Sequence, residues 1–402
     1  MISDWKKITL RVAGVSLIDC DHKTPTAQLS GYPYIAIPQL NNGRIDLSDV
    51  RHISLKDYEL WTKKAKPQAD DIILSRRCNP GETAYVPPNL DCAIGQNLVL
   101  LRSNGKTIYP PFLRWLVRGS EWWDQIEKYM NTGAIFNSLK CAEIPNIELS
   151  IPPLPTQHRI ANILSALDDK IELNRQTNAT LEAIAQAIFK EWFVNFNFPG
   201  ATGEMVASEL GLIPKGWRVG KLGEVCKITM GQSPPGESYN EDGIGTPFFQ
   251  GRTDFTFRFP NKRVFTTDPK RFANKFDTLV SVRAPVGDMN IATENCCIGR
   301  GLAAVQEING NSSFTYYFLS QLTEVFKGFE DNGTVFGSIN RNEFESMKCV
   351  IPNIDIRSNF ENICKPIDDE IFNTEQQSAN LAEIRDILLR KLLNREIVLM
   401  EE

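Results

Sequence analysis

Two pairs of adjacent carboxylates, Asp168-Asp169 and Asp368-Asp369, invite a reading as the paired carboxylates of acid–base chemistry. Both lie in stretches of helical periodicity, 200 residues apart, and neither has a histidine or other metal-ligand partner, so they read as solvated helix faces. Asn79-Pro80-Gly81 and Ser233-Pro234-Pro235-Gly236 resemble the Asn/Asp/Ser-Pro-Pro-Tyr/Phe motif of amino-methyltransferases. Both lack the aromatic that would stack on a target base, and no S-adenosylmethionine loop precedes them, so turns are the better reading. The three histidines (His22, His52, His158) and nine cysteines, single apart from Cys296-Cys297, form no C-x-x-C pair. A zinc site or disulfide framework is not expected; the cysteines read as small, partly buried apolar residues in a reducing compartment. Walker, H-E-x-x-H and G-x-S-x-G patterns are absent. The expectation is a chain without catalytic residues, metal or cofactor of its own.

The elements that carry these residues occur twice. Asp4-Trp5 through Leu10 recurs as Gly216-Trp217 through Leu222, Gly31–Ile35 as Gly245–Phe249, and Asp71–Arg77 as Asp277–Arg283. Glycines follow at Gly81 and Gly287, then Cys92–Gly95 matches Cys296–Gly299, Thr132–Leu139 matches Asn332–Ile339, and Ile151-Pro152 matches Ile351-Pro352. From there the offset is a constant 200. Six segments in one order indicate a tandem duplication. Within each half, short β-rich runs such as Asp71–Ser75 and Thr278–Val282 alternate with Gly/Pro/Asn turns, and Tyr109–Met130 and Phe314–Lys327 read as helical.

After each half comes a long amphipathic stretch. Ile160, Leu167, Leu181 and Ile188 form one heptad stripe, and Phe360, Ile367, Leu381 and Leu388 repeat it. Ile163/Leu164, Ile171, Ile184 and Trp192 are expected to fill the second seam position, as are Ile363, Ile371, Ile384 and Leu392. Polar residues, Asn174 with Asn178 and Thr374 with Ser378, interrupt both stripes and would fix register. Helices of about 40 residues are roughly 60 Å long and cannot bury a full stripe on one small domain, so they should pair with each other.

The fold class expected is therefore α+β: two tandem mixed, mostly β domains separated by two long antiparallel helices forming a coiled coil, with pseudo-twofold symmetry. The segments are 1–154, 155–197, 198–354 and 355–402. Hydrophobic residues at 42%, with no apolar run near the ~20 residues of a membrane span, fit a soluble chain. Met1–Val15 does not read as a signal peptide, and a cytoplasmic location is expected. The net charge of −5 collects in 355–402, which has 11 acidic against 6 basic residues, leaving the globular halves near neutral and able to present basic patches.

Two further segments are specific. Ile151-Pro152-Pro153-Leu154-Pro155-Thr156-Gln157 leads into Ile160–Asp168, and Ser208–Trp217 is followed by Leu222-Gly223-Glu224-Val225. With these landmarks the chain resembles, over essentially its full length, the specificity subunit of Type I restriction-modification systems. The resemblance implies two target-recognition domains, each reading half of a bipartite, asymmetric double-stranded DNA sequence, held apart by the coiled coil. It also implies two modification subunits as partners, which carry S-adenosylmethionine and methylate adenine, with restriction subunits as optional additions and no membrane. The second helical segment departs from the pattern, opening Ile351-Pro352-Asn353 without the Pro-Pro…Gln sequence.

On that reading, cations should face phosphates while Arg, Asn and Gln reach base edges. Lys63, Lys64, Lys66, Arg76, Arg77 and Asn79 are the candidates in the first half, and Gln250, Arg252, Arg283, Asn340 and Arg341 in the second. Arg77 and Arg283 coincide in the repeat. Two competing readings stand beside this one: a self-contained DNA methyltransferase or nuclease, against which the missing motifs argue, and a stand-alone DNA-binding or scaffold protein that dimerises through its helices.

Overall fold

The computed structural model describes residues 5–19, 24–131, 137–329 and 337–399. Asp4, His22 and most of the repeated segments at 132–139 and 332–339 lie outside the described residues. The chain forms two compact units, Met1–Leu173 with Gln377–Glu402, and Asn174–Gln376. Each takes one globular half and part of both long helices.

In the N-terminal unit an antiparallel sheet has the order Val15–Asp19, Leu98–Ser103, Ile72–Ser75, Thr83–Tyr85. Of its two inner strands, Ile72–Ser75 is buried at every position, which is why it reads as a continuous apolar run. Strand alternation then divides two cores. Ile72 and Leu74 join Phe112, Trp115 and Trp122 on one face, while Ile73 joins Ile35, Ile94 and Leu100 on the other. Behind that second face, Tyr32–Ile35 pairs antiparallel with Arg51–Ile53 and parallel with Ala93–Ile94. Lys6–Thr9 pairs with Glu148–Ile151, tying the start of the unit to the strand before its long helix.

The second unit repeats this plan. Cys226–Met230, Leu302–Glu307, Thr278–Ser281 and Met289–Ile291 take the same sheet order. Val280 faces Phe314 and Tyr317, and Leu279 faces Phe249 and Ile298. Thr246–Phe249 runs antiparallel to Phe265–Thr266 and parallel to Cys296–Ile298, and Arg218–Lys221 pairs with Lys348–Ile351. The helical stretches expected from sequence are present in both halves, each in two pieces: Pro110–Leu116 with Ser120–Tyr129, and Ser312–Ser320 with Thr323–Lys327.

The long helices run Leu154–Phe193 and Ile354–Leu393, 40 residues each. In each unit the start of one packs on the end of the other, so the pairing is antiparallel. Ile160 and Leu164 share a core with Leu389 and Leu392 in the N-terminal unit. In the second, Phe189 meets Phe360 edge-to-face at 5.4 Å. Of the first stripe, Ile160 and Phe360 are fully buried, whereas Leu167, Leu181, Ile188, Ile367, Leu381 and Leu388 are half-buried.

The second seam position is filled only in part as expected. Leu164, Trp192, Ile371 and Leu392 are buried and Ile171 is half-buried, whereas Ile163, Ile184, Ile363 and Ile384 are 38–47% exposed, and Ala185, Phe189, Cys364 and Leu389 are buried instead. Each helix packs on the globular part of its unit as well as on the other helix, which rotates the buried stripe away from a two-helix seam. The polar interruption is a bonded layer: Asn178 is fully buried, donates to Glu375 at 2.6 Å and accepts from the Thr374 hydroxyl.

Candidate DNA interface and its supports

The adjacent carboxylates are not solvated faces as a pair. Asp168 is 2% exposed and lies 2.8 Å from Arg44, 2.6 Å from Arg385 and 3.8 Å from Arg114. Burial alone would raise its pKa, but these guanidinium groups outweigh it and hold the carboxyl below its ordinary range. In the second unit Asp368 lies 2.6 Å from Arg258 and accepts from the Tyr317 hydroxyl at 2.8 Å, while Arg258 also binds Glu182. Arg44 and Arg258 are equivalent, each nine residues beyond the matched strands ending at Ile35 and Phe249. Each carries a charge from its globular half to a carboxylate of a long helix. Charge satisfaction of this kind is structural, and it leaves no reactive dyad. Asp169 is exposed, and half-buried Asp369 pairs with Lys365 at 2.6 Å.

The departure noted at the second helix start has a local explanation. Gln157 is fully buried, accepts from the Tyr109 amide and donates to the Thr107 and Pro152 carbonyls, all at 2.8 Å. Its counterpart 200 residues on, Arg357, instead pairs with buried Glu307. One amide and one ion pair thus do the same job, fastening the first turns of the helix to the sheet domain.

The sequence candidates fall into two groups. Lys63 and Lys64 are exposed just past the helix Leu55–Trp61, and Lys66 stands over the Tyr58 ring at 5.3 Å. Arg77 and Arg283 are exposed at the same place in each unit, bridging in register to Ser138 and Ser338, and among the described residues neither guanidinium has an ion pair. Asn79 is exposed in the turn after Arg77, and Gln250 is exposed with its amide oxygen accepting from the Ser233 hydroxyl at 3.1 Å. Other candidates are committed elsewhere. Arg76 is half-buried 3.9 Å from Asp19, Arg252 pairs with Asp288, Asn340 caps the helix Arg341–Glu345, and Arg341 lies 2.7 Å from Glu345. Gln96 and Arg300, both exposed, were not singled out from sequence. The available signal was their matched position directly after Gly95 and Gly299.

Among the described residues no His/Cys/Asp/Glu group could hold a metal, and no helix is long and apolar enough to cross a membrane. Residues 3–183 and 214–383 both match the Type I restriction modification DNA specificity domain. The chain belongs to that family. It is 31% identical over 377 residues to a Methanocaldococcus jannaschii protein described as a type I restriction enzyme MjaX specificity subunit, covering 91% of this chain and 87% of that one. It is 22% identical to the HindI specificity subunit of Haemophilus influenzae, over 98% of this chain and 100% of the relative. The fold matches the Type I restriction-modification S subunit from M. genitalium with a TM-score of 0.58 at 18% identity, over 99% and 97% of the two chains. As a member of the Type I specificity family the chain supplies DNA sequence recognition, and it is not the catalytic part of the enzyme.

Proposed function

We propose that this specificity subunit reads a bipartite, asymmetric duplex site, one half-site per globular domain, and docks two modification subunits, with restriction subunits as further partners on cytoplasmic DNA. The segments 1–154 and 198–354 are the readers, and 155–197 and 355–402 the spacer. The observation that carries this reading is the repetition of one plan with divergent exposed side chains. The sheet order, the parallel strand pair and the Arg–Asp fastening recur, whereas Lys63 and Lys64 have no counterpart.

A second observation supports two docked subunits. Each unit exposes an equivalent isoleucine pair on its helices, Ile163 with Ile384 and Ile363 with Ile184. These four side chains stand at exact 200-residue equivalence, and equivalent exposed positions in the two units suit two copies of one partner. S-adenosylmethionine is expected on those partners.

The test is to assemble the chain with modification subunits and map methylated adenines by long-read sequencing. A split motif with a fixed spacer is expected, its halves about one duplex turn of roughly 34 Å apart, since helices of ~60 Å exceed one turn. A continuous motif written by the assembled complex would refute the two-reader arrangement.

A further inference from the structure

Each unit carries an open cleft at the same point of its topology. In the N-terminal unit the parallel strands Tyr32–Ile35 and Ala93–Ile94 end at a cleft of about 500 Å³. In the second, Thr246–Phe249 and Cys296–Ile298 end at one of about 470 Å³. Tyr34 and Phe248 line the two at equivalent positions. The strand ends are locked alike: the Gly95 amide donates to the Ile35 carbonyl at 2.7 Å, and the Gly299 amide to the Phe249 carbonyl at 2.8 Å. A Cβ on Gly95 would lie 2.9 Å from the Ile35 oxygen, and one on Gly299 would lie 2.9 Å from Gln250 Cα, so neither position has room for a side chain.

Beyond this shared platform the two clefts differ. The residue after the glycine is Gln96 in one and Arg300 in the other, and the residue after the neighbouring strand is Ala36 in one and Gln250 in the other. Gln96, Gln250 and Arg300 are exposed. Ser233 organises the second rim, donating to the Gln250 amide oxygen at 3.1 Å and accepting from the Arg300 backbone amide at 3.2 Å. Among the described residues the Arg300 guanidinium has no hydrogen bond or ion pair, although Arg263 in the same cleft pairs with Asp254 at 3.1 Å. A fixed backbone carrying variable, base-complementary side chains is what two readers of different sequences require.

We propose that Gln96 in the N-terminal unit, and Arg300 with Gln250 in the second, are specificity-determining residues that contact base edges in the major groove. The inference rests on the two-half-site reading above. The Arg300 fork fits guanine O6 and N7, and the Gln96 and Gln250 amides fit adenine N6 and N7.

The variants Gln96→Ala and Arg300→Gln are made in the full complex with modification subunits. Each is read by adenine-methylation sequencing and by gel shift on the wild-type site and on single-base substitutions of it. Arg300→Gln is expected to relax or exchange one base in one half-site only, and Gln96→Ala one base in the other. The spacer and the untouched half should stay as they were. Discrimination at the affected base should fall roughly five- to hundredfold, with binding to random duplex unchanged. Variants that assemble and write the unaltered motif overturn the inference while leaving the two-half-site reading intact. A uniform loss of binding to every duplex, or altered bases in both halves, also overturns it. A wild-type complex that writes no split motif removes the underlying reading itself.

Discussion

Arg44 meets Asp168 across 124 residues of chain and Arg258 meets Asp368 across 110, so no local pattern links them. The sequence displayed the repeated aspartates, and helical spacing with no nearby partner made a solvated face the natural reading. The arginines share an offset of nine residues from the matched strand ends at Ile35 and Phe249, but nothing local to either one points to a helix more than a hundred residues further on. The consequence is measurable. The Asp168 carboxyl is held below its ordinary range, so its stabilisation is present above the unfolded carboxylate pKa and is lost as pH falls through the depressed folded value. Arg44→Met should therefore lower unfolding stability by ~2 kcal/mol near neutrality, with the deficit shrinking below about pH 4. Arg258→Met strands Glu182 and Asp368 and should cost more, about 3–5 kcal/mol. Denaturant titrations at several pH values check both, and a deficit at Arg44→Met that grows on acidification contradicts the assignment. At the surface, Arg77→Ala and Arg283→Ala should each weaken DNA binding by the assembled complex and reduce its salt dependence by about one phosphate contact, without affecting assembly. Unchanged gel shifts for both would remove them from the interface.

At the scale of elements, the heptad periodicity identified both long helices and their mutual pairing, since one small domain cannot cover a stripe that long by itself. It identified only some of the apolar residues that face inward. Ile160, Phe360, Ile371 and Leu392 are buried, but Ile184, Ile363 and Ile384 look like seam residues and are exposed, with Ala185, Cys364 and Leu389 buried beside them, because the globular half claims part of the same helix surface. The strands were legible for a related reason: a run buried on both faces, such as Ile72–Ser75, needs no alternation to be recognised. The exposed isoleucines then carry a prediction of their own. Ile163→Glu with Ile384→Glu in one unit, or Ile363→Glu with Ile184→Glu in the other, should reduce the modification subunits bound from two to one. Thermal stability of the isolated chain should change by less than about 1 kcal/mol, because these are surface substitutions. Native mass spectrometry gives the count, and two subunits retained by all four substitutions together would exclude this surface.

At the scale of the whole molecule, the duplication was the most legible feature, and the reading residues the least. A constant offset of 200 residues through the helices, against shifting offsets in the globular halves, marks the helices as the part that keeps its length. The side chains proposed to read bases leave a weaker trace, because divergence between halves is what separates them from the platform beneath. Gln250 was named from its residue type, whereas Gln96 and Arg300 stood out once Gly95 and Gly299 were seen to end matched strands at matched clefts. If the helices set the distance between half-sites, their length is a quantity that can be edited. Removing seven residues centred on Leu173, together with seven centred on Asn373, preserves the heptad phase of both stripes and shortens each helix by roughly 10 Å. At 3.4 Å per base pair the methylated motif should lose about three base pairs from its spacer, with both half-sites unchanged. An assembled, methylating variant whose spacer kept its original length would show that something other than these helices fixes the gap.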